Sequence, residues 1–261
     1  MPVLDEKYYV DMGKIISAGH WEGGNGVFFM DPLYGYFLGL VFLVFGYNLT
    51  VVRLVQILID SFSVVLINMI GTRIWNRKTG LVASLLYAVY PVSLFYSLLI
   101  LKTTLTISML LCFTVLLIRS LERKGLFNWY ALGLFGGLLT FLRGNMVLLI
   151  PLTIFLIPVY RPAGWTGFSR KCLLVALGFF SLLLVKGLRN LAVSGEFVLL
   201  NSQAGRLFYS CNNPHNLTGR YRVPEFARPG PITSEKDFHE EAERRTGTSL
   251  SSDEVSRYWI M

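Results

Sequence analysis

The sequence predicts an all-α polytopic membrane protein with about six transmembrane helices, a juxtamembrane helix and a small irregular C-terminal segment facing outward. Three observations predict it. Of the 261 residues, 53% are hydrophobic and only 15% charged, and a mean hydropathy of +0.53 is too apolar for a soluble domain. The apolar residues collect in runs long enough to cross the hydrocarbon core. The basic residues collect between alternate runs, which is how a membrane chain sets its orientation.

Residues 1–49 read as an outward first loop with a juxtamembrane helix. The run from Leu33 to Gly46 follows Pro32 and contains three glycines. At about fourteen residues it is short for a span and suits a helix lying along the membrane surface. Spans are expected at 50–71, 80–98, 103–120, 126–142, 145–160 and 172–190, most of them near the roughly 17 to 25 residues a membrane helix needs and two of them short. They make residues 50–192 a transmembrane helical domain. From 193 to 261 the chain changes character, with Gly195, Gly205, Pro214, Gly219, Pro224, Pro229, Gly230 and Pro231 marking turns. Glu196–Leu200 and Arg206–Ser210 read there as short strand-like pieces. Ser234 opens an amphipathic run ending at Gly247, and Ser251 with Glu254 three residues later forms a capping box for a second helix. That helix has barely begun at Met261, which points to truncation, because so short a stub gains little packing. Residues 1–30 hold no continuous apolar region, so no cleavable signal peptide is visible. An outward N-terminus then implies a missing first helix or a start at an internal methionine.

Charge orients the spans. Residues 1–189 hold 16 Lys and Arg against 7 Asp and Glu, while residues 190–261 hold 8 against 9. The basic surplus therefore belongs to the membrane part, in short loops, and nucleic acid is excluded as its partner. Arg73, Arg77 and Lys78 follow the first span, Arg119, Arg123 and Lys124 the third, and Arg161, Arg170 and Lys171 the fifth. These loops should be cytoplasmic. Lys102, Arg143, the N-terminal stretch and the tail should then face outward, placing the protein in the plasma membrane with both terminal segments outside.

Candidate chemistry lies on that outward face. Asp5 and Glu6 form an acidic pair ahead of the first apolar run, followed by Tyr8. A carboxylate at a lipid interface can act as a general base on an acceptor hydroxyl or amine, and desolvation there raises a carboxyl pKa. A solvated pair flanking a helix is the other reading. Arg143 stands in the turn Leu142-Arg143-Gly144-Asn145, where a guanidinium either binds a lipid phosphate bidentately or snorkels as an anchor. Lys102, in the other outward turn, is open to the same two readings. Asp60, within the first span, is either a functional ionisable group or a polar contact between helices. Lys186 and Arg189 read as interfacial anchors. Cys112, Cys172 and Cys211 lie far apart, as do His20, His215 and His239, so neither a metal centre nor a disulfide framework is proposed.

The ordered set Asp5-Glu6-x-Tyr8, Asp31-Pro32-Leu33-Tyr34, Phe45-Gly46-x-Asn48, Arg53, Tyr90-Pro91 and Leu142-Arg143-Gly144 resembles the polyprenyl-phosphate-dependent GT-C glycosyltransferases. More narrowly it resembles bacterial family 39, which includes relatives of the protein O-mannosyltransferases and of the aminoarabinose transferase of lipid A. The resemblance runs from residue 5 to about 193 and corresponds to the N-terminal part of such an enzyme. It implies that Asp5, with Glu6 beside it, is the catalytic base or acceptor-orienting group, and that Arg143 contacts the donor's phosphate. It also implies a long helix before Asp5 and further spans after the tail. Two positions depart from the family's pattern. Asp31 stands where relatives often place a lysine or a second proline, and Lys102-Thr103-Thr104 where many carry an acidic residue.

The function these readings imply is transfer of a sugar from a polyprenyl-phosphate donor to a protein, lipid or glycan acceptor on the outer face. The catalytic residues are then Asp5 and Glu6, and the substrate-binding residues Tyr8, Lys102 and Arg143. No cofactor and no metal are expected, the lipid-linked sugar being the donor substrate, and membrane lipid surrounds the chain. Two rivals stand beside it: a transporter or flippase whose pathway uses Asp60, and an inactive fragment of a glycosyltransferase.

Overall fold

The computed structural model describes residues 4–122, 125–160 and 165–261. Arg123, Lys124 and Arg161, counted above among the cytoplasmic charges, lie outside the described residues. Every regular element among those described is helical. The chain divides into two compact units, one of Met1–Leu40 with Val185–Met261 and the other of Val41–Leu184.

The second unit is an apolar helical bundle. Its elements follow α1 (Asp5–Ser17) and α2 (Leu33–Phe45), and are α3 (Leu49–Ile74), α4 (Arg77–Ala88), α5 (Pro91–Leu98), α6 (Thr103–Glu122), α7 (Phe127–Leu142), a 3-10 turn (Gly144–Leu148), α8 (Leu149–Tyr160) and most of α9 (Trp165–Ser194). Asn48 caps α3 by accepting from the amides of Thr50 at 2.9 Å and Val51 at 3.4 Å. Asn76 caps α4 in the same way through Thr79 at 2.9 Å. Pro91, whose fixed φ suits a first helical position, starts α5 after a bend of 52° from α4. The α3, α6 and α9 helices are each long and apolar enough to cross a membrane, and α4 with α5 makes a fourth span if the bent pair crosses as one. The remaining two expected spans fall on shorter apolar helices, Phe127–Leu142 and Gly144–Tyr160. Leucine and phenylalanine side chains such as Leu58 and Phe155 stand 70% and 66% exposed, a surface that lipid rather than water suits.

Several buried polar groups inside this bundle pair with one another. Asp60, 7% exposed, accepts from the Tyr87 hydroxyl at 2.7 Å and from Ser93 at 3.2 Å. It is therefore a polar contact among α3, α4 and α5. Ser63 and Ser108 share a hydrogen bond of 2.5 Å. Gln56 donates to the carbonyls of Ser97 at 3.0 Å and Leu99 at 2.7 Å, and Arg53 to that of Leu98 at 3.0 Å.

The first unit packs α1, the start of α2 and the end of α9 with three tail helices, α10 (Ala204–Asn212), α11 (Pro231–Thr246) and α12 (Ser252–Tyr258). The helix α1 was not anticipated in the first loop. Met12 and Ile16 on it lie against Gly35 and Gly39 of α2, where an added Cβ would come within 2.4 Å and 2.6 Å of their side chains. Residues 206–210, expected as a strand-like piece, are helical instead. Gly205 lets α10 press on α12, since a Cβ there would lie 1.9 Å from the Ser256 carbonyl oxygen, and Tyr209 then meets Trp259 with ring centroids 4.5 Å apart. Residues 196–200 form no strand. The short α12 is no unpacked stub: its predicted capping box forms, and Val255 and Trp259 join Phe238 and Ala242 in a buried core.

Candidate functional site

In the first unit the site grows from the first turn of α1. Asp5 and Glu6 occupy that turn, where the free amides and the helix dipole favour acidic side chains. Asp5 is exposed and Glu6 half-buried. One turn on, the Tyr8 hydroxyl accepts from the Met30 amide at 3.4 Å. Burial pushes the Tyr8 phenol up to about 12, with the Met30 hydrogen bond and Arg189 opposing and Glu235 and Asp31 reinforcing. The phenol is thus protonated at neutral pH and serves as a fixed polar contact rather than a base. Tyr9 beside it is buried and packs edge-on against Tyr34, centroids 5.1 Å apart.

Several charged groups that sequence reasoning did not place in a site gather in this unit. Asp31, 2% exposed, accepts from the Asn201 amide at 2.7 Å. Lys186 is equally buried. Arg189 is no interfacial anchor: its guanidinium donates to the backbone carbonyls of Glu22, Gly24 at 2.7 Å and Gly26 at 2.5 Å, and lies 3.9 Å over the Phe28 ring. A glycine-rich loop offers unshielded carbonyls, and a five-donor guanidinium collects them. The run Gly23-Gly24-x-Gly26 was the signal for such a clamp. Asn190 completes it, accepting from the Phe28 amide at 3.4 Å and donating to the Val198 carbonyl at 2.7 Å. Glu235 on α11 is pushed up to about 7 by burial, against the pull of Arg206. Arg206 donates to Ser234 at 3.2 Å and Tyr221 at 3.3 Å. These contacts join positions up to 170 apart in sequence, so no local pattern announces them.

In the second unit, Lys102 and Arg143 fall at one end of the bundle. The α3 and α6 helices run parallel, because Gln56 meets Leu99, Ser63 meets Ser108 and Arg73 meets Glu122. The α7 helix runs back beside them, starting with Asn128 next to Ser120. Lys102 precedes α6 and Arg143 follows α7, so both lie opposite the end that holds the Arg73–Glu122 pair. Lys102 is half-buried, and its carbonyl accepts from the amide and hydroxyl of Thr106 at 2.9 Å and 2.7 Å. Arg143 is exposed in extended backbone at the break between α7 and the 3-10 turn. The five sequence-predicted residues thus divide: Asp5, Glu6 and Tyr8 in the first unit, Lys102 and Arg143 in the second. Among the described residues, no three His, Cys, Asp or Glu side chains converge as a metal site.

An all-α chain with helices long and apolar enough to cross a membrane is an integral membrane protein. Residues 31–186 match the family described as dolichyl-phosphate-mannose-protein mannosyltransferase, and the chain belongs to that family. The chain is also similar to the undecaprenyl phosphate-alpha-4-amino-4-deoxy-L-arabinose arabinosyl transferase 2 of Proteus mirabilis (strain HI4320), at 30% identity over 167 residues. That match covers 59% of this chain and 30% of the relative, so the chain spans well under half of the relative's length. No solved structure matches. The family match begins at Asp31, so Lys102 and Arg143 lie inside it while Asp5, Glu6 and Tyr8 precede it.

Proposed function

We propose that this chain carries part of a glycosyltransferase that moves a sugar from a polyprenyl-phosphate donor to a protein, lipid or glycan acceptor on the outer face of the membrane, with inversion at the anomeric carbon. The observation that carries the reading is family membership over residues 31–186, and the donor named for the Proteus mirabilis relative is a polyprenyl phosphate sugar. The acceptor oxygen bonds to the anomeric carbon as the carbon–oxygen bond to phosphate breaks. Asp5, exposed in the first turn of α1, takes the acceptor's proton or orients it, with Glu6 beside it and Tyr8 fixing the helix to the Met30 segment. Arg143 and Lys102 receive the negative charge that grows on the departing phosphate, an interaction stronger in the transition state than in the ground state. The donor is a substrate, and the reaction draws on no metal or cofactor.

The test is Asp5→Asn in the longest natural form of the protein. Transfer of labelled sugar from undecaprenyl phosphate in isolated membranes should fall at least about 100-fold, the contribution of a positioned acid–base group, while membrane insertion stays at the wild-type level. Wild-type transfer by this variant would remove Asp5 from the mechanism.

A further inference from the structure

We infer that the tail holds a saccharide-binding cleft, separate from the residues assigned above and outside the stretch that matches the family. A cleft of about 600 Å³ opens between α10, α11 and the loop joining them, bounded by residues from Tyr209 to Arg245. That volume is in the range of small-ligand sites. The loop forming its outer wall is built rather than loose. The Asn216 side-chain amide donates to the carbonyls of Ser210 at 2.8 Å and Arg220 at 2.7 Å, and the Arg222 amide donates to Ser210 at 3.3 Å. The two bonds to the Ser210 carbonyl tie the loop to α10, and the bond to Arg220 closes the loop on itself.

The lining has the chemistry of a sugar site. Tyr209 and Phe226, with ring centroids 6.1 Å apart, supply aromatic surface, and both are continuous with the buried Phe238 and Trp259 rings behind them. The C–H face of a pyranose ring packs on such a surface with little entropic loss on the protein side, because the rings are already fixed. Arg245 lies 5.5 Å over Phe226 and 5.2 Å over Trp259, and bonds the Glu241 carboxylate at 2.7 Å. Hydrogen bonds from Arg244 and Arg245 hold that carboxyl down at about 2. The charge of Arg245 is therefore matched inside the cleft. At the rim, Arg222, Glu225 and His215 are exposed, and among the described residues none of these side chains has a hydrogen bond or ion pair. They offer donors and acceptors of both signs to a ligand.

This balance selects the ligand class. A phosphate site needs cations in excess, and here the lining carries Arg222 and Arg245 against Glu225 and Glu241. An acyl chain needs an apolar lining without a polar rim. A neutral saccharide uses all three features: hydroxyl groups for the mixed donors and acceptors, a ring face for the aromatics, and no net charge. That the saccharide belongs to the acceptor rests on the transferase reading; the cleft's chemistry does not.

The test uses the whole chain in detergent micelles and saturation-transfer difference NMR. The probes are the N-acetylglucosamine trimer and mannotriose, with inorganic phosphate and a Gly-Ser-Gly peptide as competitors. Saturation should pass from aromatic protons to the ring protons of at least one trisaccharide, undiminished by either competitor. The double variant Arg222→Ala/Glu225→Ala, which touches only exposed side chains, should keep its helical circular dichroism and weaken binding at least about tenfold, the loss of one to two hydrogen bonds. Tyr209→Phe, which keeps the ring, should retain binding. No transfer to either saccharide, transfer unchanged in the double variant, or displacement by phosphate or peptide overturns the inference. Asp5→Asn should bind saccharide normally, so loss of sugar transfer and loss of cleft binding report separately on the two readings.

Discussion

A carboxyl group enclosed by other side chains gives up hydration that it keeps in the unfolded chain, and Glu235 carries the sharpest case outside the membrane helices. Burial pushes it from its ordinary value of 4.5 to about 7, with Arg206 opposing. Between those pH values the folded protein binds more protons than the unfolded one, so stability falls as pH rises. The loss is absent below about pH 4.5 and complete above about pH 7, and its size is up to about 3 kcal/mol. Glu235→Gln should therefore flatten the profile. Hydrogen exchange of the α11 amides at pH 5 and pH 8, corrected for intrinsic rates, measures this, and a variant that loses as much protection as the wild type contradicts it. At this scale, sequence reading singled out residues beside apolar runs, such as Asp5 and Arg143, because the run itself marks their surroundings. It did not reach the contacts of Asp31, Arg189 or Glu235, whose surroundings are assembled from segments far apart in the chain.

Elements were more legible where a local signal decides them. The Ser251–Glu254 capping box appeared as expected, as did a short helix after Pro32, observed as Leu33–Phe45. The helix α1 was missed although its buried Tyr9, Met12, Gly13 and Ile16 follow a helical spacing, and it packs on Gly35 and Gly39 of α2. Glycine spacing was the unused cue elsewhere too. In the second unit, a Cβ on Gly133 would lie 2.1 Å from the Val175 carbonyl oxygen, and one on Gly178 2.2 Å from that of Tyr130. The backbones of α7 and α9 touch there, which is how small residues bring membrane helices together. Gly133→Leu must push them apart, costing about 1 to 3 kcal/mol or more, as overpacking does. Its unfolding temperature in detergent should drop well below that of Gly125→Ala, whose added methyl meets only Asn128 at 3.6 Å. Equal temperatures for the two variants would mean that the contact is not tight.

At the scale of the molecule, charge and helix direction are two independent statements about which residues share a face. The charge count assigns Arg73, Arg77 and Arg119 to one side and Lys102 and Arg143 to the other. The bundle repeats that division by packing alone, since Arg73 bonds Glu122 bidentately at 2.6 Å and 2.7 Å and Lys171 sits 5.4 Å over Trp129, while Lys102 and Arg143 end the opposite way. Such an exposed pair contributes little stability, so its value lies in marking neighbouring helix ends. The count of spans was less legible, because length alone separates a crossing helix from a shorter apolar one, and the bent α4–α5 pair, α7, and the 3-10 turn with α8 fall near that limit. Labelling decides both points. In a chain with Cys112, Cys172 and Cys211 replaced by serine, Lys102→Cys and Arg143→Cys should react with an impermeant maleimide on intact cells, whereas Arg77→Cys and Arg119→Cys should react only after permeabilisation. Lys102→Cys and Arg143→Cys on different sides would break the assignment of bundle ends. Both labelling only from within would reverse the orientation and place the proposed phosphate contacts away from an outward donor.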